Sequence, residues 1–185
     1  MKRLVLLLIV LLSLGGTAFA VEVAGVKLAP ELTVKGQTLH LNGYGIRKKF
    51  FFKIYVGSLY TASRVASTEQ ALAAPGAKLI RMDFLYHKVD KEKIIGAFAE
   101  GFAKNSPQLS DTEPAKAFLR LFDQDFVEGD QVDLIIGADG TVSARHNGRD
   151  LGSVTSRDLA RGVLLIYLGK EPADEDMKEG MLGRD

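Results

Sequence analysis

The stretch LNGYGIRKKFFFKIYVGSLY (residues 41–60) carries the strongest fold signal in this chain. Asn42, Gly43 and Gly45 are typical of a turn, and the aromatic and β-branched residues after them predict one long strand. Because side chains alternate across a strand, two faces separate from Ile46 onward. One face is apolar and predicts core: Ile46, Phe50, Phe52, Ile54 and Val56. The other face mixes charged and apolar groups: Arg47, Lys49, Phe51, Lys53, Tyr55 and Gly57.

The mixed face suits a site for an amphiphilic anion. A planar guanidinium such as that of Arg47 can hold a carboxylate or phenolate by two hydrogen bonds, while aromatic rings beside it cover an apolar body. A basic cluster next to an apolar strand is usually a solvated sheet edge, where lysines discourage edge-to-edge aggregation. The residues alone leave both interpretations open.

The first 20 residues predict export. Met1-Lys2-Arg3 is a short positive region, residues 4–14 are apolar, and Ala18-Phe19-Ala20 is a small-x-small cleavage signal. The apolar run is shorter than the roughly 20 residues that a membrane-spanning helix needs. We therefore expect a signal peptide over residues 1–20, cleaved after Ala20, and a mature domain over residues 21–185. In a Gram-negative bacterium this domain is periplasmic; an uncleaved anchor is the alternative.

Composition excludes several classes of protein. The chain balances 24 Lys and Arg against 23 Asp and Glu, so nothing points to nucleic acid. It contains no cysteine, which excludes disulfides and thiolate chemistry. The roughly 165 residues after the predicted cleavage site suffice for one domain with a proper core.

Four segments predict helices: residues 69–74, capped by Ser67 or Thr68; a helix that starts at Asp90; a helix opened by a capping box at Ser110; and residues 157–168, capped by Ser156. The helix from Asp90 carries Ile94, Phe98 and Phe102 at four-residue spacing. Gly96 and Gly101 are unusual inside it, since each costs about 1 kcal/mol relative to alanine. We expect their small size to serve close packing or to leave room for a ligand chain.

Strand patterns fill most of the remaining chain. Residues 78–86 alternate, and a meander from Gln131 turns at Asp139-Gly140 and at Asn147-Gly148. The count is six or seven largely antiparallel strands with three or four helices. This order predicts an α+β fold in which helices cover one face of an antiparallel sheet.

Motifs for catalysis, metals and cofactors are not found. His40, His87 and His146 lie far apart in the sequence, so we expect no metal site. Gly43-x-Gly45 lacks the third glycine of a dinucleotide loop, and we expect no cofactor. There is no Gly-x-Ser-x-Gly nucleophile elbow, and no catalytic residue is predicted.

Residues 43–60 resemble the signature of the chalcone isomerase-like family, in particular its bacterial exported branch. The closing segment SRDLARGVLLIYLGKEPADEDMKEGML (residues 156–182) resembles that family's terminal helix, the break after it and the final helix. The resemblance implies an open-faced β-sandwich, a large antiparallel sheet with helices layered on one face.

Plant chalcone isomerases close a flavanone ring, and the resemblance assigns roles to some of their residues here. An arginine at the start of the signature strand stabilises the phenolate, and this arginine matches Arg47. A threonine on the same hairpin is replaced here by Ile54 or Tyr55. A tyrosine and an asparagine on the following helix are replaced by Asp90 and Ala97. These departures count against chalcone isomerase chemistry.

Non-catalytic members of the family bind fatty acids through the corresponding arginine and a tyrosine. The resemblance thus implies a cleft between the Arg47 strand and the helix from Asp90 to Asn105, which accepts an apolar molecule with an acidic head. The expected ligand-binding residues are Arg47 for the head, then Tyr55 and Lys49, with Phe51, Phe98 and Phe102 along the tail. Tyr55, Tyr44 or Tyr86 could replace the family's helix tyrosine, which this sequence lacks. An isomerase of the intramolecular lyase type, acting on an enone or phenolic substrate, and an envelope protein that binds an unknown protein partner are the alternatives.

Overall fold

The computed structural model describes residues 21–184, so the predicted signal peptide lies outside the described residues. Within that range the strands are β1 (Val21–Val23), β2 (Val26–Leu28), β3 (Glu31–Val34), β4 (Gln37–Lys49), β5 (Phe52–Thr61), β6 (Lys78–Phe84), β7 (Lys88–Val89), β8 (Phe126–Val127), β9 (Gln131–Ile136), β10 (Thr141–His146) and β11 (Arg149–Thr155). The helices are α1 (Thr68–Ala73), α2 (Lys91–Asn105), α3 (Glu113–Leu119), α4 (Arg157–Leu168) and α5 (Glu175–Met181), and a 3₁₀ turn covers Pro107–Leu109.

Seven of these strands form one antiparallel sheet in the order β11-β10-β9-β6-β5-β4-β3. The main core lies between one face of this sheet and the helices, and it contains Leu59, Ile80 and Leu134 from the strands. A smaller cluster on the opposite face consists of strand residues, among them Tyr60 and Leu79. The structure confirms the predicted α+β class with helices layered on one face of a large antiparallel sheet. Among the helices of residues 21–184, none combines the length and apolar character that crossing a membrane requires.

The stretch 41–60 folds as a hairpin, so the expectation of one long strand is wrong. Strand β4 ends at Lys49, Phe50 and Phe51 form the turn, and β5 starts at Phe52. Phe50 is exposed instead of lying in the core. The alternating pattern of residues 46–56 did not predict that the chain reverses direction at this turn, because the turn contains none of the usual turn residues. Phe50 itself adopts a positive φ of 55°.

A bulge next to the turn also breaks the predicted alternation of faces. Arg47 pairs with Tyr55, but Lys48 pairs with Lys53, so Ile54 is an extra residue on β5. The buried residue that faces the helices here is Tyr55, in place of the apolar set expected from parity. One inserted residue is enough to exchange the two faces of a strand.

Gly43 and Gly45 lie inside β4 and do not form the predicted turn. Helix α5 crosses this strand so closely that a Cβ on Gly43 would overlap the carbonyl oxygen of Gly180, and one on Gly45 would lie 2.5 Å from the Cα of Met177. The glycines therefore let α5 rest directly on the hairpin. Asp174, the N-cap of α5, also accepts a hydrogen bond of 2.9 Å from the Lys48 backbone N–H.

Most helix starts agree with the capping residues read from the sequence. Ser67, Asp90 and Ser156 are the N-caps of α1, α2 and α4. The exception is α3, where Thr112 is the N-cap in place of the predicted Ser110. Ser110 follows the 3₁₀ turn with helical φ and ψ angles, whereas an N-cap residue needs extended ones.

Candidate functional site

A cleft of about 480 Å³ opens between the tip half of the β4–β5 hairpin, the loop that leads into β7, and α2. Its volume falls within the roughly 300–1,000 Å³ of typical small-molecule sites. The lining residues are Arg47, Lys49, Phe50, Phe52, Ile54, Tyr86, Lys88, Val89, Lys93, Ile94, Gly96, Ala97 and Glu100. The cleft thus lies between the Arg47 strand and the helix after Asp90, where the sequence analysis places it.

Small residues on α2 keep this cleft open. Gly96 and Ala97 line it, and a Cβ built on Gly96 would meet no atom within 4 Å. Glycine is required at position 101 for a different reason: a Cβ there would lie 2.9 Å from Cγ1 of Ile166 on α4. Of the two explanations considered for these glycines, room for a ligand fits Gly96 and close packing fits Gly101.

Arg47 is half-buried at the cleft and is held by Tyr55. Its guanidinium Nη1 donates a hydrogen bond of 3.4 Å to the Tyr55 hydroxyl, and its Cζ lies 5.7 Å from the centroid of the Tyr55 ring. Tyr55 is almost completely buried and stands directly opposite Arg47 in the ladder. The tyrosine therefore fixes the guanidinium from behind and leaves its remaining donors free toward the cleft.

The other charges of the cleft are largely neutralised. Lys88 lies 2.8 Å from Asp125, Lys93 lies 2.8 Å from Asp90, and Lys104 lies 2.7 Å from Glu100. Within residues 21–184, neither Arg47 nor Lys49 has a carboxylate oxygen within 4.0 Å. These two cations are therefore available to an anion that enters the cleft.

The electrostatic surroundings keep Arg47 charged. The nearby Tyr55 phenol raises the pKa of Arg47 more than burial lowers it. The ion pair with Lys104 lowers the pKa of Glu100, and Lys49 and Arg47 lower it further. Burial raises the pKa of the Tyr167 phenol well above its ordinary value, so this neighbouring group is neutral. The charge pattern of the cleft is thus stable through the neutral range.

The six predicted ligand-binding residues lie in different parts of the structure. Arg47 and Lys49 line the cleft, and Tyr55 lies behind Arg47. Phe51 is exposed at the hairpin turn. Phe98 and Phe102 are buried in an aromatic cluster; the ring of Phe98 lies 4.9 Å from Phe122, and that of Phe102 lies 5.9 Å from Phe118. These two rings belong to the core.

Other apolar residues line the cleft in place of these rings: Phe50, Phe52, Ile54, Tyr86 and Ile94. The rings of Phe52 and Tyr86 pack edge to face with centroids 5.3 Å apart. The alternation of side chains along the predicted strand placed Phe52 and Ile54 in the core, because no residue in the sequence marks the bulge. From the sequence, Tyr86 is expected only as one of three tyrosines that could replace the family's helix tyrosine.

The described residues offer no metal centre. No group of three or more His, Asp or Glu side chains within residues 21–184 is arranged to hold a metal ion. His146 lies 3.0 Å from Asp130, and both side chains are largely buried. Asp130 precedes β9 and His146 ends β10, and these two strands are neighbours inside the sheet.

Comparison with known proteins connects this geometry to one family. Residues 20–183 match the family described as chalcone isomerase-like. The fatty-acid-binding protein 1 of Arabidopsis thaliana is 25% identical over 178 aligned residues, which cover 80% of this chain and 64% of that protein. The chain thus spans less than two thirds of the length of this relative.

A solved structure shares the fold. The crystal structure of an Arabidopsis thaliana fatty-acid-binding protein aligns with a TM-score of 0.71 and 24% sequence identity, over 85% of this chain and 92% of that one. The alignment covers most of both chains, so the two proteins share the fold.

Proposed function

Because this chain belongs to the chalcone isomerase-like family, we propose that it binds a fatty acid, or a similar apolar molecule with an acidic head, in the cleft beside Arg47. The observation that carries the proposal is the state of Arg47. It is half-buried, fixed by Tyr55, open to an apolar cleft and without an acidic partner among the described residues. A guanidinium desolvated in this way gains most from a carboxylate ligand.

The head of the ligand binds at Arg47. A carboxylate can accept two parallel hydrogen bonds from the guanidinium, and Lys49 adds a second positive charge at the same end of the cleft. Tyr55 reduces the entropy lost on binding because it holds the guanidinium in place beforehand. The three groups together supply charge, geometry and orientation.

The tail of the ligand lies along α2. Phe52, Ile54, Tyr86 and Ile94 present apolar surface, and Gly96 leaves the space that an acyl chain needs. Each methylene buried there contributes about 0.8 kcal/mol. The apolar walls thus provide affinity, while Arg47 provides the preference for an acid.

Binding without turnover is the function that the cleft supports best. Ala97 lines the cleft at the position that the resemblance gives to an asparagine. Asp90, at the position of a tyrosine, forms ion pairs with Lys88 and Lys93. The helix therefore offers neither of the two polar groups that would assist a phenolate during ring closure. The name of the Arabidopsis relative, a fatty-acid-binding protein, agrees with this proposal.

The proposal extends to the compartment. We propose an exported, periplasmic protein of the bacterial branch, cleaved after Ala20. Two observations support it: the residues before Val21 have the composition of a signal peptide, and the family match begins at residue 20. N-terminal sequencing of the mature protein tests this point; a sequence that starts at Val21 is expected, and one that starts at Met1 contradicts it.

Calorimetric titration of the delipidated protein with a long-chain fatty acid tests the binding function. Arg47→Ala should weaken binding by about 1.5–3 kcal/mol, or roughly 10- to 150-fold, the scale of a charged hydrogen bond. The matched control is Arg145→Ala, an exposed arginine on β10, which is separated from β4 by three strands, or about 19 Å. Equal affinities of the two folded variants would refute the role of Arg47.

A further inference from the structure

The turn of the β4–β5 hairpin, with the residues that flank it (residues 48–53, here called the hairpin tip), exposes an unusual amount of apolar surface. Phe50, Phe51 and Phe52 are 84%, 98% and 53% exposed. The other large hydrophobic residues exposed within residues 21–184 are Val21 and Val127, at 37% and 46%. Three consecutive aromatic rings at one projecting point are a concentrated patch, and such patches mark interaction sites.

The backbone of this turn is strained. Phe50 has a φ of 55°, in the left-handed region that turns normally fill with glycine or asparagine. A bulky residue in this conformation is a genuine outlier. Strain of this kind persists where a function requires the side chain. The phenylalanine therefore occupies a position where a smaller residue would stabilise the fold better.

Lysines surround the aromatic tip. Lys48 pairs across the hairpin with Lys53, and Lys49 pairs with Phe52. All three lysines are exposed, and within the described chain only Lys48 has an acidic neighbour, Asp176 at 3.6 Å. The lysines stand one or two residues behind the turn, about 3–7 Å at roughly 3.4 Å per residue. The hairpin tip thus consists of three exposed phenylalanine rings surrounded by three lysines.

The hairpin tip borders the mouth of the cleft. Lys49, Phe50 and Phe52 belong both to the hairpin tip and to the cleft lining. A surface that covers the tip therefore also faces the opening through which a ligand would enter.

We infer that the hairpin tip docks on a lipid bilayer that contains anionic phospholipids. The phenylalanine rings enter the interface to the depth of about 5–10 Å that interfacial protein segments reach, and the lysine amines stay at the level of the phosphates. The distance of about 3–7 Å between the turn and the lysines overlaps that depth, and the long lysine side chains extend the reach of the amines. This inference goes beyond the proposed function and does not depend on it, because docking of the hairpin tip requires no ligand in the cleft.

Charge and shape favour a bilayer over a protein partner. Lysine is depleted from protein–protein interfaces, yet three lysines flank these rings. The tip projects as a convex point, which suits insertion between lipid headgroups. Each lysine near an anionic surface contributes about 1 kcal/mol, so attraction depends on the lipid charge.

Co-sedimentation of the mature protein with phosphatidylcholine vesicles, with and without phosphatidylglycerol, tests the inference. Wild type should bind the anionic vesicles and bind them less as salt rises. Phe51→Ser should reduce this binding by about tenfold, the factor that corresponds to 1.4 kcal/mol of lost burial. The double variant Lys49→Gln/Lys53→Gln should reduce vesicle binding by roughly 25-fold, about fivefold for each lysine.

Two controls separate docking from general charge and from misfolding. Lys27→Gln with Lys35→Gln removes the same charge elsewhere; Lys35 lies in the turn before β4, at the end away from the tip, about 40 Å along the 13 residues of that strand. This pair should bind vesicles within about twofold of wild type. Phe50→Asn should raise the melting temperature, because asparagine tolerates the positive φ, and should still weaken vesicle binding.

The outcomes decide the inference in either direction. Loss of vesicle binding in Phe51→Ser and in the Lys49/Lys53 pair, but not in the Lys27/Lys35 pair, supports docking through the tip. Absence of binding by wild type, or equal binding by both lysine pairs, overturns it. Self-association that disappears in Phe51→Ser, without vesicle binding, would assign the patch to contacts between copies of the chain.

Discussion

Replacement of Gly96 by leucine should stabilise the protein and at the same time block its cleft. Gly96 lies in the middle of α2, and a Cβ there meets no atom within 4 Å. Leucine is better than glycine in a helix by about 0.7 kcal/mol, which corresponds to a rise in Tm of roughly 2 °C in a domain of this size. The side chain extends into the space that we propose for the acyl chain.

The loss of affinity follows from the methylenes that leucine displaces. Its four side-chain carbons exclude three to four methylenes of the ligand, each worth about 0.8 kcal/mol. We expect a loss of about 2.5–3 kcal/mol, or roughly 60- to 140-fold, in the dissociation constant of a long-chain fatty acid. Calorimetric titration measures the affinity, and a thermal melt of the same sample measures the stability.

Gly101→Leu is the matched control, since it makes the same exchange in the same helix. There the added side chain meets Ile166, and overpacking of about 1–3 kcal/mol exceeds the gain in helix propensity. This variant should melt at a lower temperature and keep its affinity for the fatty acid. A folded Gly96→Leu protein that binds like wild type would refute the placement of the acyl chain in this cleft.

Three further predictions concern the residues around the site and the sheet. Tyr55→Phe removes the acceptor that orients Arg47 and should weaken fatty-acid binding by about 0.5–1.5 kcal/mol in the same titration; unchanged affinity would exclude an orienting role. Gly45→Ala places a Cβ 2.5 Å from the Cα of Met177 and should lower the free energy of unfolding in urea by about 1–3 kcal/mol; full stability would contradict the close approach of α5. Burial raises the pKa of Asp83, so its contribution to stability is present below its unfolded pKa and is lost as pH rises through the folded pKa. Asp83→Asn should therefore raise the Tm at pH 7 but not at acid pH, and equal gains at both pH values would contradict this assignment.

Local sequence signals predicted those parts of the fold that depend on local chemistry. Ser156 marks the start of α4 because its hydroxyl accepts a hydrogen bond from the Leu159 backbone N–H. Asp90 is the N-cap residue of α2, but its carboxylate makes no capping hydrogen bond and pairs with Lys88 and Lys93. Asp139-Gly140 and Asn147-Gly148 mark turns because few other pairs adopt the required dihedral angles. These features need no knowledge of the rest of the chain.

Features that depend on the tertiary structure could not be predicted in the same way. The turn at Phe50 and Phe51 has no turn residue, and the bulge at Ile54 exchanges the faces of β5. Phe98 and Phe102 have the spacing of a helix stripe, which is the same for a core and for a ligand-lined wall. Only the packing of α2 shows that these rings lie in the core while Gly96 faces the cleft.

The central claim is that Arg47 gives the cleft its preference for an acidic head, and one comparison tests it most directly. The dissociation constants of a long-chain fatty acid and of the alcohol with the same chain are measured for wild type and for Arg47→Ala. Wild type should prefer the acid by roughly 10- to 150-fold, the scale of one charged hydrogen bond, and Arg47→Ala should lose most of this preference and keep only the contribution of Lys49. A preference for the acid that is undiminished in the folded Arg47→Ala protein would contradict the account.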